Sequence, residues 1–121
     1  MKLVSTVLDG IKERAAQAGI AVDYAKGCEV MNSDLSGIPA AVELARKADV
    51  TVVCVGDVIE QIGEVRDRSD LDLTGGQMPL LEAVKATGTK LVVVLINSKP
   101  LVIPWVAENA DAIIEAFNPG M

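Results

Sequence analysis

The residue types that could do chemistry are concentrated in one stretch, 57–72. It carries Asp57, Glu60, Glu64, Asp67, Asp70 and Asp72 against Arg66 and Arg68. Carboxylates at this density support three readings. As a solvated surface loop they form local ion pairs, each worth at most about 1 kcal/mol. As a calcium loop they would need alternating oxygen ligands, a glycine turn and a closing glutamate, and that spacing is absent. As an acid–base site, one positioned carboxyl moves a proton to or from a reacting group. Glycoside hydrolysis takes two carboxyls across the scissile bond, about 5–5.5 Å apart in retaining enzymes. One loop can supply one of them and does not obviously supply both.

Other chemistries find less support. The chain has no histidine, which removes Ser-His-Asp and Cys-His catalysis and histidine-ligated metal sites. No metal or cofactor is expected. No G-x-G-x-x-G follows a strand and no Gly-Lys-Ser/Thr occurs, so phosphate cradles are unsupported. Gly75-Gly76 at a helix start could offer backbone N–H groups to an anion, or could simply be a flexible junction. Cys28 and Cys54 lie at strand ends or inside strands, where free cysteine is a small apolar filler. Net charge is −6 with no cluster of Lys and Arg, which argues against a nucleic-acid partner. No apolar run reaches the ~18 residues of a membrane span, and the N-terminus lacks a signal-peptide core. As it stands, the chain is expected to be cytoplasmic.

The elements that must position the acidic stretch read as alternating helices and strands. At 121 residues the chain suits one domain, and with only 2% aromatics its core must come from Val, Ile, Leu and Ala. Helical spacing covers 3–18, starting near Val4 or Ser5, with Gly19 as the stop. Residues 20–24 alternate as a strand near a sheet edge. Ser36 is placed to cap a helix that has Pro39 in its first turn and runs to Ala48. The apolar run 50–56 reads as a buried strand. Its carboxyl end feeds the acidic loop, at the edge where open α/β sheets place ligands. A helix follows from Thr74 or Gly75 to Ala86, then a strand over 91–96, a short helix over 104–109, a last strand over 112–116 and a turn at 118–121. The pattern predicts an α/β fold, a three-layer α/β/α sandwich with a mostly parallel sheet of about four strands. A helix leads and a strand closes the order, so the chain reads as part of a larger domain.

Within the acidic loop, Gly63-Glu64-Val65-Arg66-Asp67-Arg68-Ser69-Asp70-Leu71-Asp72-Leu73-Thr74-Gly75-Gly76-Gln77 resembles the signature of the C-terminal α/β-sandwich domain of glycoside hydrolase family 3. This is the β-glucosidase and β-xylosidase family. Similarity extends through 8–11, 24–28, 41–50, 92–97 and 104–120. The resemblance implies a flavodoxin-like sheet and assigns Glu64 as general acid/base. It places the nucleophile, an aspartate, in a separate barrel domain to which no residue here corresponds. Arg66, Asp67, Arg68 and Asp70 are expected to shape the loop, and Asp57 and Glu60 are weaker candidates for substrate contact at its rim.

Two departures stand out. Val65 replaces the family's glycine, and a β-branched residue resists positive φ, so the loop is expected to be held differently. Thr74 replaces proline and could cap the next helix. The resemblance also places a strand before the first helix, between 20–24 and 50–55, and further elements after 119–120. A partial domain of this kind is expected to be inactive alone, to act on a β-linked sugar only with a barrel domain, and to self-associate through exposed sheet edges or segment exchange. The alternatives are a non-catalytic oligomeric binding or interaction protein and an inert fragment.

Overall fold

The computed structural model describes residues 4–118. Helix α1 (Val7–Gln17) is followed by α2 (Ile38–Lys47), β1 (Val50–Gly56), a single 3-10 turn (Ile59–Gln61), α3 (Gln77–Lys85), β2 (Lys90–Ile96), α4 (Pro104–Asn109) and β3 (Ala112–Glu115). The three strands form one parallel sheet in the order β1-β2-β3. The α/β class and parallel sheet stand as read from the sequence.

Helix α1 starts later than the spacing suggests because Thr6 fixes its entry. The Thr6 hydroxyl accepts from Asp9 N at 3.1 Å, and the Asp9 carboxylate accepts from Thr6 N at 2.9 Å, a reciprocal capping box. At α2 the N-cap is Gly37, with no side-chain cap. Ser36 is engaged elsewhere: its N–H donates to Asp34 Oδ1 at 2.9 Å, in a run of Asx turns that carries the chain round from Asn32.

One expected strand is missing. Residues 20–24 are irregular, with Ile20 and Tyr24 more than half exposed, so the sheet has three strands among the described residues rather than about four. Alternation creates a strand only where a ladder exists to receive it. β1 pairs with β2 alone, and residues 20–24 join no described ladder.

The core lies on one face of the sheet. Val53, Val55, Leu91, Val93 and Leu95 point to it from β1 and β2, against Leu80, Leu81 and Val84 of α3, Ala45 of α2 and Val106 of α4. Leu81, Leu91, Val93 and Val106 are fully enclosed. Register puts Val52, Cys54, Val94 and Ile114 on the opposite face, which is open over Val52 and Ile114. All three strands run parallel, so their carboxyl ends meet at one edge, where the acidic loop leaves β1. The expected turn at 118–121 lies outside the described residues beyond Asn118.

Candidate functional site

The floor of the site is the end of β1. Asp57 N donates to Ile96 O at 2.9 Å, so by alternation Gly56 turns its own N–H and C=O away from β2. Gln77, the first residue of α3, receives them. Its Oε1 accepts from Gly56 N at 2.7 Å, and its Nε2 donates to Gly56 O and to Thr74 O, both at 3.0 Å. The Gln77 side chain is 1% exposed; its amide completes the ladder where no strand does, as buried peptide groups require. Gly56 has φ +149°, and a Cβ there would lie 1.8 Å from Ile96 O, so only glycine fits.

Gln61 and Thr74 tie the two arms of the loop together. Gln61 Nε2 donates to the Thr74 hydroxyl at 2.9 Å, and that hydroxyl donates to Val30 O at 2.8 Å. Thr74 is therefore a cross-brace and not the cap of α3, whose N-cap is Gly76. The junction is not an anion cradle. Gly76 N–H donates to Glu29 O at 3.2 Å. A Cβ on Gly75, at φ +60°, would sit 2.5–2.7 Å from the carbonyl oxygens of Val30, Asn32 and Glu29.

Above this floor the loop climbs to a β-turn, Gly63-Glu64-Val65-Arg66, closed by Arg66 N donating to Gly63 O at 3.3 Å. Val65 has φ +63° while Glu64 stays at negative φ, the type II pattern, which favours glycine at Val65's position. The resistance expected of a β-branched residue does not keep Val65 out of that pattern. Valine occupies the left-handed conformation itself, with its side chain 90% exposed.

Glu64 is the tip of that turn. It is exposed, and among the described residues its carboxylate makes no hydrogen bond or ion pair. Glu60 and Asp67 are exposed as well. Asp57 is not at a rim: its side chain is 1% exposed, with Oδ1 3.2 Å from Arg68 Nη1 and Oδ2 3.4 Å from Lys99 N. Arg68 also donates to Asp72 O and lies 3.6 Å from Asp70, while Asp70 Oδ1 accepts from Asp72 N at 3.2 Å. Arg66 reaches back to Glu60 O at 3.2 Å. Lys99, in the turn after β2, donates from Nζ to Arg66 O at 2.9 Å. The structure thus joins Asp57, Arg68 and Asp70 and leaves Glu64 outward.

Sequence reasoning gave no role to Gln77 or Lys99. Gln77 had one signal: a polar residue on the first turn of a helix, where the apolar face should begin. Lys99 had none, because its partners lie 33 and 42 residues away along the chain.

A cleft of about 180 Å³ sits beside the floor, lined by Val30, Cys54, Gly56, Asp57, Gln77 and Ile96. Cys54 is exposed on the open face of the sheet, which corrects the expectation of a buried filler; partial desolvation still pushes its thiol up from its ordinary pKa. No cluster of three or more His, Cys, Asp or Glu side chains suited to a metal occurs among the described residues. No helix there is long and apolar enough to cross a membrane.

Comparison with known proteins is consistent from end to end. The family model for the glycosyl hydrolase family 3 C-terminal domain matches residues 1–121. A β-xylosidase of Formosa agariphila is 41% identical over 116 residues, 96% of this chain and 16% of that protein. A periplasmic β-glucosidase of Salmonella typhimurium is 33% identical over 135 residues, 95% of this chain and 18% of that protein. The structure of a β-glucosidase from Erythrobacter marinus superposes with TM-score 0.81 at 36% identity, covering 93% of this chain and 19% of that one. This chain therefore spans less than a fifth of each of these three proteins.

Proposed function

Because the chain belongs to the glycosyl hydrolase family 3 C-terminal domain family, we propose that it is the acid/base-bearing part of a β-glycosidase, with Glu64 as the catalytic carboxyl. The observation that carries the reading is Glu64's position. It stands at the tip of a hydrogen-bonded turn, exposed and unpaired among the described residues, above the carboxyl edge of the sheet. Arg66 and Arg68 beside it are committed to holding the loop. In the retaining mechanism such a group first donates its proton to the leaving glycosidic oxygen, then takes one from the water that releases the sugar from the nucleophile. The nucleophile comes from the barrel domain that the resemblance implies, so the chain by itself turns over no glycoside.

The test is a graft. This chain replaces the matched segment of the Formosa agariphila β-xylosidase, and the hybrid is assayed on aryl β-xylosides. The expected result is activity whose kcat/KM Glu64→Gln cuts for poor leaving groups but spares for 2,4-dinitrophenolate, which departs without protonation, while release of the sugar slows for both. Azide, which attacks without base help, should restore release of the sugar. A Glu64→Gln hybrid that hydrolyses poor and good leaving groups as well as its parent refutes the role.

A second reading, a non-catalytic interaction protein that self-associates through sheet edges or segment exchange, is supported by the outer edge of β1. That edge pairs with no described strand, and Val50 and Val52 are exposed beside it. A monomeric mass at micromolar concentration would rule this assembly out; a dimer broken by lysine at Val52 would support it.

A further inference from the structure

We infer that Asp57 and Lys99 are positioning residues for the proton-transfer step, setting the height and aim of the Glu64 turn; the inference rests on Glu64 being the catalytic carboxyl. The turn cannot hold itself in place. Its third residue is a valine in a backbone conformation valine disfavours, and that side chain, 90% exposed, packs on nothing that would repay the strain. Its one internal bond, Arg66 N to Gly63 O, is 3.3 Å long. Whatever selects the turn must act from below.

Two tiers of polar contacts do so. In the lower tier a single carboxylate joins three separate segments. Asp57 begins the outgoing arm, its Oδ1 meets Arg68 of the returning arm at 3.2 Å, and its Oδ2 meets the backbone N–H of Lys99 at 3.4 Å. The side chains of Asp57 and Arg68 are 1% and 12% exposed, so water screens this pair far less than a surface pair. Lys99 is gripped from its other side too, because Asn97 Nδ2 donates to Lys99 O at 2.7 Å and Asn97 is itself buried. With its backbone fixed by two side chains, Lys99 has one freedom left, and its stem carries the ammonium up to Arg66 O at 2.9 Å.

That contact is the upper tier. Arg66 is the residue that closes the Glu64 turn, and its guanidinium reaches across to Glu60 O at 3.2 Å on the opposite arm. Lys99 is therefore a strut between the sheet and the turn, and Asp57 is the joint at its foot. Neither touches Glu64, so neither is a catalytic residue. A shift of about 1 Å at a reacting group can cost on the order of a hundredfold in rate, and the strut is what prevents such a shift.

The test uses the grafted β-xylosidase with Lys99→Met, Lys99→Arg, Asp57→Asn and Glu64→Gln. The readout is kcat/KM for a poor-leaving-group xyloside divided by kcat/KM for the 2,4-dinitrophenyl xyloside, with Tm measured alongside. Lys99→Met should lower this ratio about tenfold with Tm almost unchanged, Lys99→Arg should restore most of it, and Asp57→Asn should lower it further. If Glu64→Gln lowers the ratio while Lys99→Met and Asp57→Asn scale both substrates equally, or neither, the strut is refuted and Glu64 stands. If Glu64→Gln itself leaves the ratio unchanged, both readings fall. Should Asp57→Asn prevent folding, Lys99→Met decides alone, since its side chain lies at the surface of the turn.

Discussion

Val65→Gly isolates the cost of the strained turn. A β-branched L-residue in the left-handed region costs about 1–2 kcal/mol relative to the right-handed one. Glycine relieves that cost and adds back about 0.5–1 kcal/mol of backbone entropy lost on ordering. Burial hardly enters, because Val65 is 90% exposed, so little of the roughly 1.5–3 kcal/mol that full burial of such a side chain is worth can be lost. The balance is a gain of about 0.5–1 kcal/mol in the turn, a two- to fivefold drop in its opening constant. The turn opens locally, so the reporter must be local as well. Exchange of the Arg66 amide, which donates the closing bond to Gly63 O, is read by NMR and should slow by that factor in Val65→Gly. Val65→Ala, which keeps the Cβ that clashes at positive φ, should recover less than half of the gain. Unchanged or faster Arg66 exchange in Val65→Gly refutes the strain. Equal gains in the alanine and glycine variants would place the cost in side-chain branching rather than in φ.

Two further outcomes follow from polar groups that hold the frame. Gln77→Ala strands the buried N–H and C=O of Gly56 and one bond to Thr74 O; at about 1–3 kcal/mol for each group left unsatisfied, the loss should be about 3 kcal/mol, measured as a lower urea midpoint, and a loss under about 1 kcal/mol would show that the clamp is dispensable. Asp111 is held below the usual carboxylate range, first by the Leu91 N–H at 2.8 Å and then by Lys85 at 2.9 Å. The unfolded chain therefore takes up this proton first as pH falls, and the contribution is complete above the ordinary value of 3.8 and lost below it. Asp111→Asn should flatten the fall in stability with acid below about pH 4, followed by denaturant titration at several pH values; an unaltered acid limb would mean the carboxylate contributes nothing there.

Where local pattern and long-range structure agreed, the fold was legible. Pro104–Asn109 and the strand at Val50–Gly56 fall where proline placement and an unbroken β-branched run put them. Residues 20–24 carry an equally good alternation and form no strand, because pairing needs a neighbouring ladder that alternation cannot reveal. Valine at position 65 shows the same limit from the other side. Its intrinsic preference disfavours the conformation it holds, and the bonds of Arg66 to Gly63, Glu60 and Lys99 outweigh it. Residue types marked the acidic loop, and the family resemblance marked Glu64 within it. What they could not reveal was which carboxylates face inward. Asp57 and Glu64 are chemically alike in sequence, and they are told apart by contacts with Arg68 and Lys99 that only folding creates.

That separation of roles has a consequence for the proposed mechanism. A carboxylate that must gain and lose a proton in each turnover cannot also serve as a structural ion-pair partner, since protonation would release whatever it holds. In the proposed mechanism the two tasks fall to different residues of this loop. Asp57, enclosed and bonded through both oxygens, holds the frame. Glu64, with no partner among the described residues, can change protonation state without loosening the turn that carries it. A proton-transfer group also works best shielded from bulk water. The sheet leaves Glu64 uncovered, so the surface that supplies the nucleophile must supply that shield as well. On this reading, what the chain contributes to catalysis is a carboxyl held at a defined height, ready to be covered.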